Sequence, residues 1–125
     1  MFFRRKKSVG ERGEFLARRY LKRRGWRIVT NNLRIGKDEV DILALSPKGE
    51  VLALVEVRTT ANCARDPRST VGHEKRRCML RASRQMGELA TQHRCSLRLD
   101  LITVNISYSP PQITHFEEQI PISSN

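Results

Sequence analysis

A chain of 125 residues has room for one domain around one core. Lys and Arg outnumber Asp and Glu by 24 to 13, giving a formal charge of +11 and a pI near 10.6, the electrostatic footprint of a nucleic-acid or anionic-surface partner. No apolar run is long enough to cross a bilayer, and the basic start, MFFRRKKSVGERGE, lacks the apolar segment of a secretory signal, so no membrane association and a cytoplasmic location are expected. Cys63, Cys78 and Cys95 are odd in number, widely spaced and without a CxxC pair, which reads as reduced thiols and not as a zinc framework. The scattered His73, His93 and His115 read as surface or helix residues.

Residues 1–7 form a basic tail, residues 8–118 the single domain, and residues 119–125 a second short tail. The first helix is predicted to start near Ser8, which has capping-box spacing to Glu11, and to stop at Gly25. At about 100° per residue, Gly10, Gly13, Ala17, Tyr20 and Leu21 share its inner face. Arg12, Arg19, Lys22 and Arg23 lie opposite. Glu14 falls at the border of the inner face; it either points toward the sheet or simply complements the helix dipole. WRIVTNN (26–32) is predicted as a short strand ended by Asn31-Asn32, with LRIGK (33–37) as a loop.

The next stretch reads DEVDILAL, SPKG, EVLALVEVR, and its Pro and Gly mark the turn of a β-hairpin. Alternation puts Glu39, Asp41, Leu43 and Leu45 on one face of the first strand, and Leu52, Leu54, Glu56 and Arg58 on one face of the second. A four-residue loop would set Leu45 opposite Glu50, Glu39 opposite Glu56, and Asp41 diagonal to Glu56. Such pairs lie roughly 5–8 Å apart at Cβ, close enough for two carboxylates to share one cation. Like charges facing each other on an otherwise apolar face are costly, yet a chain poor in acids places three here. The competing reading is of solvated hairpin positions, with Arg58 paired to one of the acids. The second strand is almost continuously apolar and is expected to be central.

A polar loop, residues 59–69, leads to a second helix over Thr70–His93, capped by Ser69 or Thr70. Val71, Met79, Ala82, Met86 and Leu89 form its core stripe. Lys75, Arg76, Arg77, Arg81 and Arg84 cover the rest, a pattern that favours phosphate contact in a chain of this charge. SLRLDLITVNIS (96–107) alternates as a strand. Arg98 and Asp100 share a face and pair either with each other or with the acidic site. YSPP marks a turn, and QITHFEE is a last, edge strand. The first three strands should form an antiparallel meander, with the fourth returning through the helix to lie parallel to a neighbour.

Glu on a first helix, Asp on a second strand and Glu-x-Arg on a third, in that order, resemble the PD-(D/E)xK nuclease superfamily. More closely, the chain resembles the bacterial YraN-like proteins, an uncharacterised family related to Holliday-junction-resolvase-type endonucleases. The matching segments are GERGEFLA (10–17), NNLR with DEVDILAL (31–45), LVEVR (54–58), Lys75 and LRLDLITV (97–104), spanning residues 8–118. Each motif is weak alone; their order and spacing together are specific.

The resemblance implies an α/β fold with a restriction-endonuclease-like αβββαβ core, its mixed sheet flanked by helices. It implies a Mg²⁺- or Mn²⁺-dependent endonuclease acting on DNA in preference to RNA. Asp41, Glu56 and the Val57 carbonyl would be ligands, and Glu14 an outer carboxylate. Arg58 stands where the family motif has lysine, and arginine cannot serve as a base. Lys75 could supply the missing ammonium if the second helix packs beside the hairpin. Asp38 replaces the usual Gly before the acidic pair. Lys75, Arg76, Arg81, Arg12 and Arg19 are the candidate phosphate contacts. Cleavage of junctions would require a homodimer, for which the sequence carries no unambiguous signal. Two other readings stay open: a catalytically inactive DNA- or RNA-binding module of the same fold, and a small basic protein bound to a ribosome or another assembly.

Overall fold

In the computed structural model, which describes residues 8–62 and 71–120, Ser8 caps a helix, α1, over Val9–Arg23. The Ser8 hydroxyl accepts the Glu11 N–H at 3.1 Å, and Gly25 follows the helix at φ +86°, a left-handed value that favours glycine. Strands β1 (Arg27–Ile35), β2 (Asp38–Leu45) and β3 (Val51–Thr60) come next. Helix α2 (His73–Gln92), β4 (Ser96–Asn105) and β5 (Gln112–Ile120) complete the order. This is the αβββαβ sequence of elements with one more strand appended. The sheet runs β1-β2-β3-β4-β5; every neighbouring pair is antiparallel except β3 and β4, which are parallel and joined through α2.

Alternation along β3 explains the layers. Ala53, Val55 and Val57 pack with Ala17 and Leu21 of α1, whereas Leu52 and Leu54 pack with Met79, Ala82 and Met86 of α2. The sheet is thus covered on both faces, and β3 is buried from Leu52 to Val57 as its unbroken apolar run requires. On α1 the buried residues are Gly13, Ala17 and Leu21, spaced four apart. Gly13 lets the helix backbone approach β3: a Cβ there would lie 2.8 Å from Cβ and 2.9 Å from Cγ2 of Thr59.

Several expectations are corrected. β1 does not stop at Asn31-Asn32. It runs to Ile35, and Gly36 (φ +62°) and Lys37 form the turn to Asp38. β1 is an edge strand, so exposed Asn residues cost it no desolvation. Gly10 is exposed rather than inward, and Tyr20 is half-buried under the Arg24 guanidinium, 3.5 Å from its ring centre. α2 is capped by Gly72 and not by Ser69 or Thr70, which lie outside the described residues with Cys63 and most of the polar loop. Leu89, expected in the core, is 40% exposed near the end of α2. The two tails also lie largely outside the described residues. Cys78 and Cys95 are free thiols, as expected.

Candidate metal and phosphate site

The hairpin between β2 and β3 has a different register from the one predicted. Leu45 faces Leu52, Leu43 faces Leu54 and Ile42 faces Val55. The loop therefore holds Glu50 as well as Ser-Pro-Lys-Gly. Ser46 sets this length: its N–H donates to the Val51 carbonyl at 2.8 Å, and its hydroxyl accepts the Val51 N–H at 2.9 Å. Continuing the register by one residue brings Asp41, and not Glu39, opposite Glu56.

The ladder ends at Ile42–Val55. In an antiparallel pair, alternate residues exchange hydrogen bonds, so the next amide of β3 turned toward β2 is that of Val57. It donates instead to Asp41 Oδ2, at 2.8 Å. The strands part there, and a carboxylate occupies the position a main-chain carbonyl would have taken. Glu56, only 6% exposed, lies beside this opening on the face covered by α2. From the first turn of α2, the Lys75 Nζ reaches to 2.8 Å from Glu56 Oε2 and donates to the Glu39 carbonyl at 3.1 Å. The contact with Oε2 is a close ion pair, with Glu56 6% and Lys75 25% exposed.

The surrounding electrostatics mark the site. Burial raises the Asp41 pKa, only partly offset by the Val57 N–H and by the charges of Lys75 and Arg58. Burial also raises Glu14, and the next cause is the negative charge of Asp41, so α1 brings a third carboxylate within Coulombic range. Arg58 Nε is sealed from solvent with no hydrogen-bond partner among the described residues. Two carboxylates that resist ionisation, and a guanidinium nitrogen with no acceptor among the described residues, thus share one electrostatic neighbourhood.

Among the described residues no three His, Cys, Asp or Glu side chains form a metal-binding group by themselves. Asp41 and Glu56 supply two carboxylates, with Glu56 Oε2 facing the Lys75 ammonium. That donor set suits Mg²⁺, which typically takes one or two carboxylates and retains several waters.

The other predicted residues are not all brought to this point. Arg76 is half-buried on α2, and Arg12 and Arg19 are exposed on α1. Arg81, expected to meet phosphate, is engaged by Asp38 through a two-pronged contact at 2.7 Å for each nitrogen. That contact holds the Asp38 carboxyl down at about 2. Asp38 therefore does not add its charge to the acidic pair, and Glu39 is exposed, offering its carbonyl rather than its carboxylate to Lys75.

Arg98 and Asp100 pair with each other, at 2.8 and 3.0 Å, and not with the site. His115 Nε2 lies 2.7 Å from Asp100 Oδ2, and the Glu118 N–H donates to Oδ1 at 3.0 Å. Burial alone would raise Asp100, but His115, Arg98 and the Glu118 amide outweigh it and hold the carboxyl below its usual value. His115 is thus a tie between β5 and β4 and not the surface residue expected. The one available hint was the even spacing of Arg98 and Asp100 toward the face that His115 shares.

The sequence profile of the Uncharacterised protein family UPF0102 matches residues 13–104, a span that includes Glu14, Asp41, Glu56, Arg58 and Lys75. The chain belongs to the UPF0102 family. A UPF0102 protein of Anaeromyxobacter dehalogenans is 33% identical over 114 residues, covering 89% of this chain and 82% of that protein. One from Chlorobium chlorochromatii is 35% identical over 100 residues, covering 79% and 75%. One from Alkaliphilus oremlandii is 32% identical over 114 residues, covering 89% and 96%. The YraN-like resemblance read from the motifs is this family. The solved structure of Pyrococcus furiosus SfsA in complex with Ca²⁺ overlays 86% of this chain and 61% of that one at 12% identity, with a TM-score of 0.30, too loose an overlay to bear on fold or function.

Proposed function

We propose that the protein is a divalent-metal-dependent endonuclease that cleaves phosphodiester bonds in nucleic acid, DNA in preference to RNA. The observation that carries this reading is the meeting of Asp41, Glu56 and Lys75 where β2 and β3 part, with Glu14 in Coulombic range. Asp41, Glu56 and the Val57 carbonyl would hold Mg²⁺ or Mn²⁺, with Glu14 outside them. The cation would polarise the scissile phosphate and lower the pKa of an attacking water.

The chain's own residues divide the remaining work. Lys75, held by the Glu39 carbonyl, presents an ammonium beside the carboxylates and takes the place the motif lysine would have had on β3. Arg58 stays charged and would turn its guanidinium toward a non-bridging phosphate oxygen. The Val57 amide fixes one oxygen of Asp41 and so orients the carboxylate. The excess of cations draws the nucleic-acid backbone to a pocket that is itself acidic, by counterion release with little sequence preference. This reading places the protein with nucleic acid in the cytoplasm. No helix among the described residues is long and apolar enough to cross a membrane.

The test is cleavage of labelled branched, single-stranded and duplex DNA with Mg²⁺ or Mn²⁺, by wild type and by Asp41→Ala with Glu56→Ala. Cuts that disappear in EDTA and in the double variant support the proposal. DNA binding without cuts in either metal would refute it. That second result would establish a non-catalytic binding module, the reading favoured by one observation: the Lys75 ammonium already neutralises Glu56.

A further inference from the structure

The outer side of α1 carries a feature that cleavage chemistry does not explain. Phe15 is 42% exposed on α1, whose Ala17 and Leu21 are buried against the sheet. Arg18, Arg19 and Lys22 follow it at three, four and seven residues, so all four share one stripe of the helix. With Arg23, this stripe lines an open groove of about 440 Å³. None of its four cations forms an ion pair among the described residues, whereas Lys75, Arg77, Arg81 and Arg98 all do.

Phe15 and Arg18 also line a second concavity, of about 500 Å³, together with Glu11, Glu14, Asn31 and Asn32. Glu14 is the carboxylate that senses Asp41. One track therefore leads from the candidate metal site, past Phe15, to a row of cations that form no ion pair among the described residues. From Glu14 to Arg23 it follows roughly 13 Å of helix.

We infer that this stripe binds an unpaired strand of nucleic acid leading to the metal site, with a base stacked on the Phe15 ring and the phosphates on Arg18, Arg19, Lys22 and Arg23. Charge decides for a polyanion. The aromatic decides for an unpaired one, because an exposed ring can stack only on a base whose face is open, and duplex bases present edges. The substrate class that follows is single-stranded DNA or RNA, or a structure with a single-stranded arm. The inference rests on the nucleic-acid reading above but not on cleavage.

The test measures anisotropy of a labelled short oligo(dT) and of a blunt hairpin duplex, in EDTA so that nothing is cut. It is repeated with the Asp41→Ala, Glu56→Ala protein so that a failure of catalysis cannot be mistaken for a failure of binding. Stacking on an aromatic contributes enough that Phe15→Ala should weaken oligo(dT) binding by roughly 5- to 150-fold, leaving duplex affinity and the melting temperature unchanged. Phe15→Trp should retain binding, and its added emission should be quenched by oligo(dT) and not by the duplex. Arg19→Ala with Lys22→Ala should flatten the slope of log K against log salt by about 1.4. Unchanged oligo(dT) affinity in Phe15→Ala, or an equal loss for the duplex, would overturn the inference. So would loss of binding to phosphatidylserine vesicles in Phe15→Ala with oligo(dT) binding intact, a result that would make the stripe a membrane contact.

Discussion

Replacing Lys75 by Met keeps the length of the side chain and removes its charge. Glu56 is 6% exposed and Lys75 25%, so the pair is sealed at one end and open at the other. Removing one partner of a fully buried pair costs about 3–5 kcal/mol, and exposed pairs contribute about 0–1. A half-sealed pair falls between, and with the lost bond to the Glu39 carbonyl the variant should be less stable by about 2–3 kcal/mol. For a chain of this size that lowers the melting temperature by roughly 6–10 °C. Lys75→Met in a Glu56→Gln background should cost only about 1 kcal/mol, because no buried charge is then left alone. The coupling, about 1.5 kcal/mol, is read from denaturant melts of the four proteins. If the two single effects simply add, Lys75 does not neutralise Glu56 and the site has been built wrongly.

Three further outcomes are expected. Gly13→Ala drives a Cβ into Thr59, and overpacking in the upper part of its range, about 2–3 kcal/mol, exceeds the helix gain of about 1, so the melting temperature should fall by about 4–8 °C; an unchanged or higher value would show that α1 does not sit this close to β3. Asp38 and Asp100 are held below their ordinary pKa, so each adds stability that is present above the unfolded carboxylate range and lost as pH falls through the folded value, near pH 2 for Asp38; a urea midpoint flat from pH 5 to 2.5 would contradict this. Asp41 is raised, so its ionisation opposes folding and stability is lost as pH rises through the folded value. Asp41→Asn should therefore raise the urea midpoint at pH 7, where Asp38→Asn should lower it; the same sign for both would refute the assignment.

What the sequence disclosed was local. The Ser8 cap and the apolar run of β3 depend on neighbours in the chain, and both were read correctly. So was the crossover through α2. The hairpin register was not, because it turns on the Ser46 hydroxyl taking the Val51 amide and lengthening the loop to include Glu50, a choice that residue counting does not show. β1 was cut short because Asn31-Asn32 looks like a terminator, whereas an exposed edge strand tolerates it. Glu14, Asp41 and Glu56 stood out as acids in a basic chain. That Lys75 reaches Glu56, and that Arg81 is taken by Asp38 across 43 residues of sequence, are facts of packing with no local signature.

A cation held by Asp41 and Glu56 would be seen by calorimetric titration of Mn²⁺ or Mg²⁺ into the wild type and into Asp41→Ala with Glu56→Ala. One saturable site is expected in the wild type, absent from the double variant although that protein remains folded. No heat of binding in the wild type, or equal binding in the two proteins, would contradict a cation held by Asp41 and Glu56.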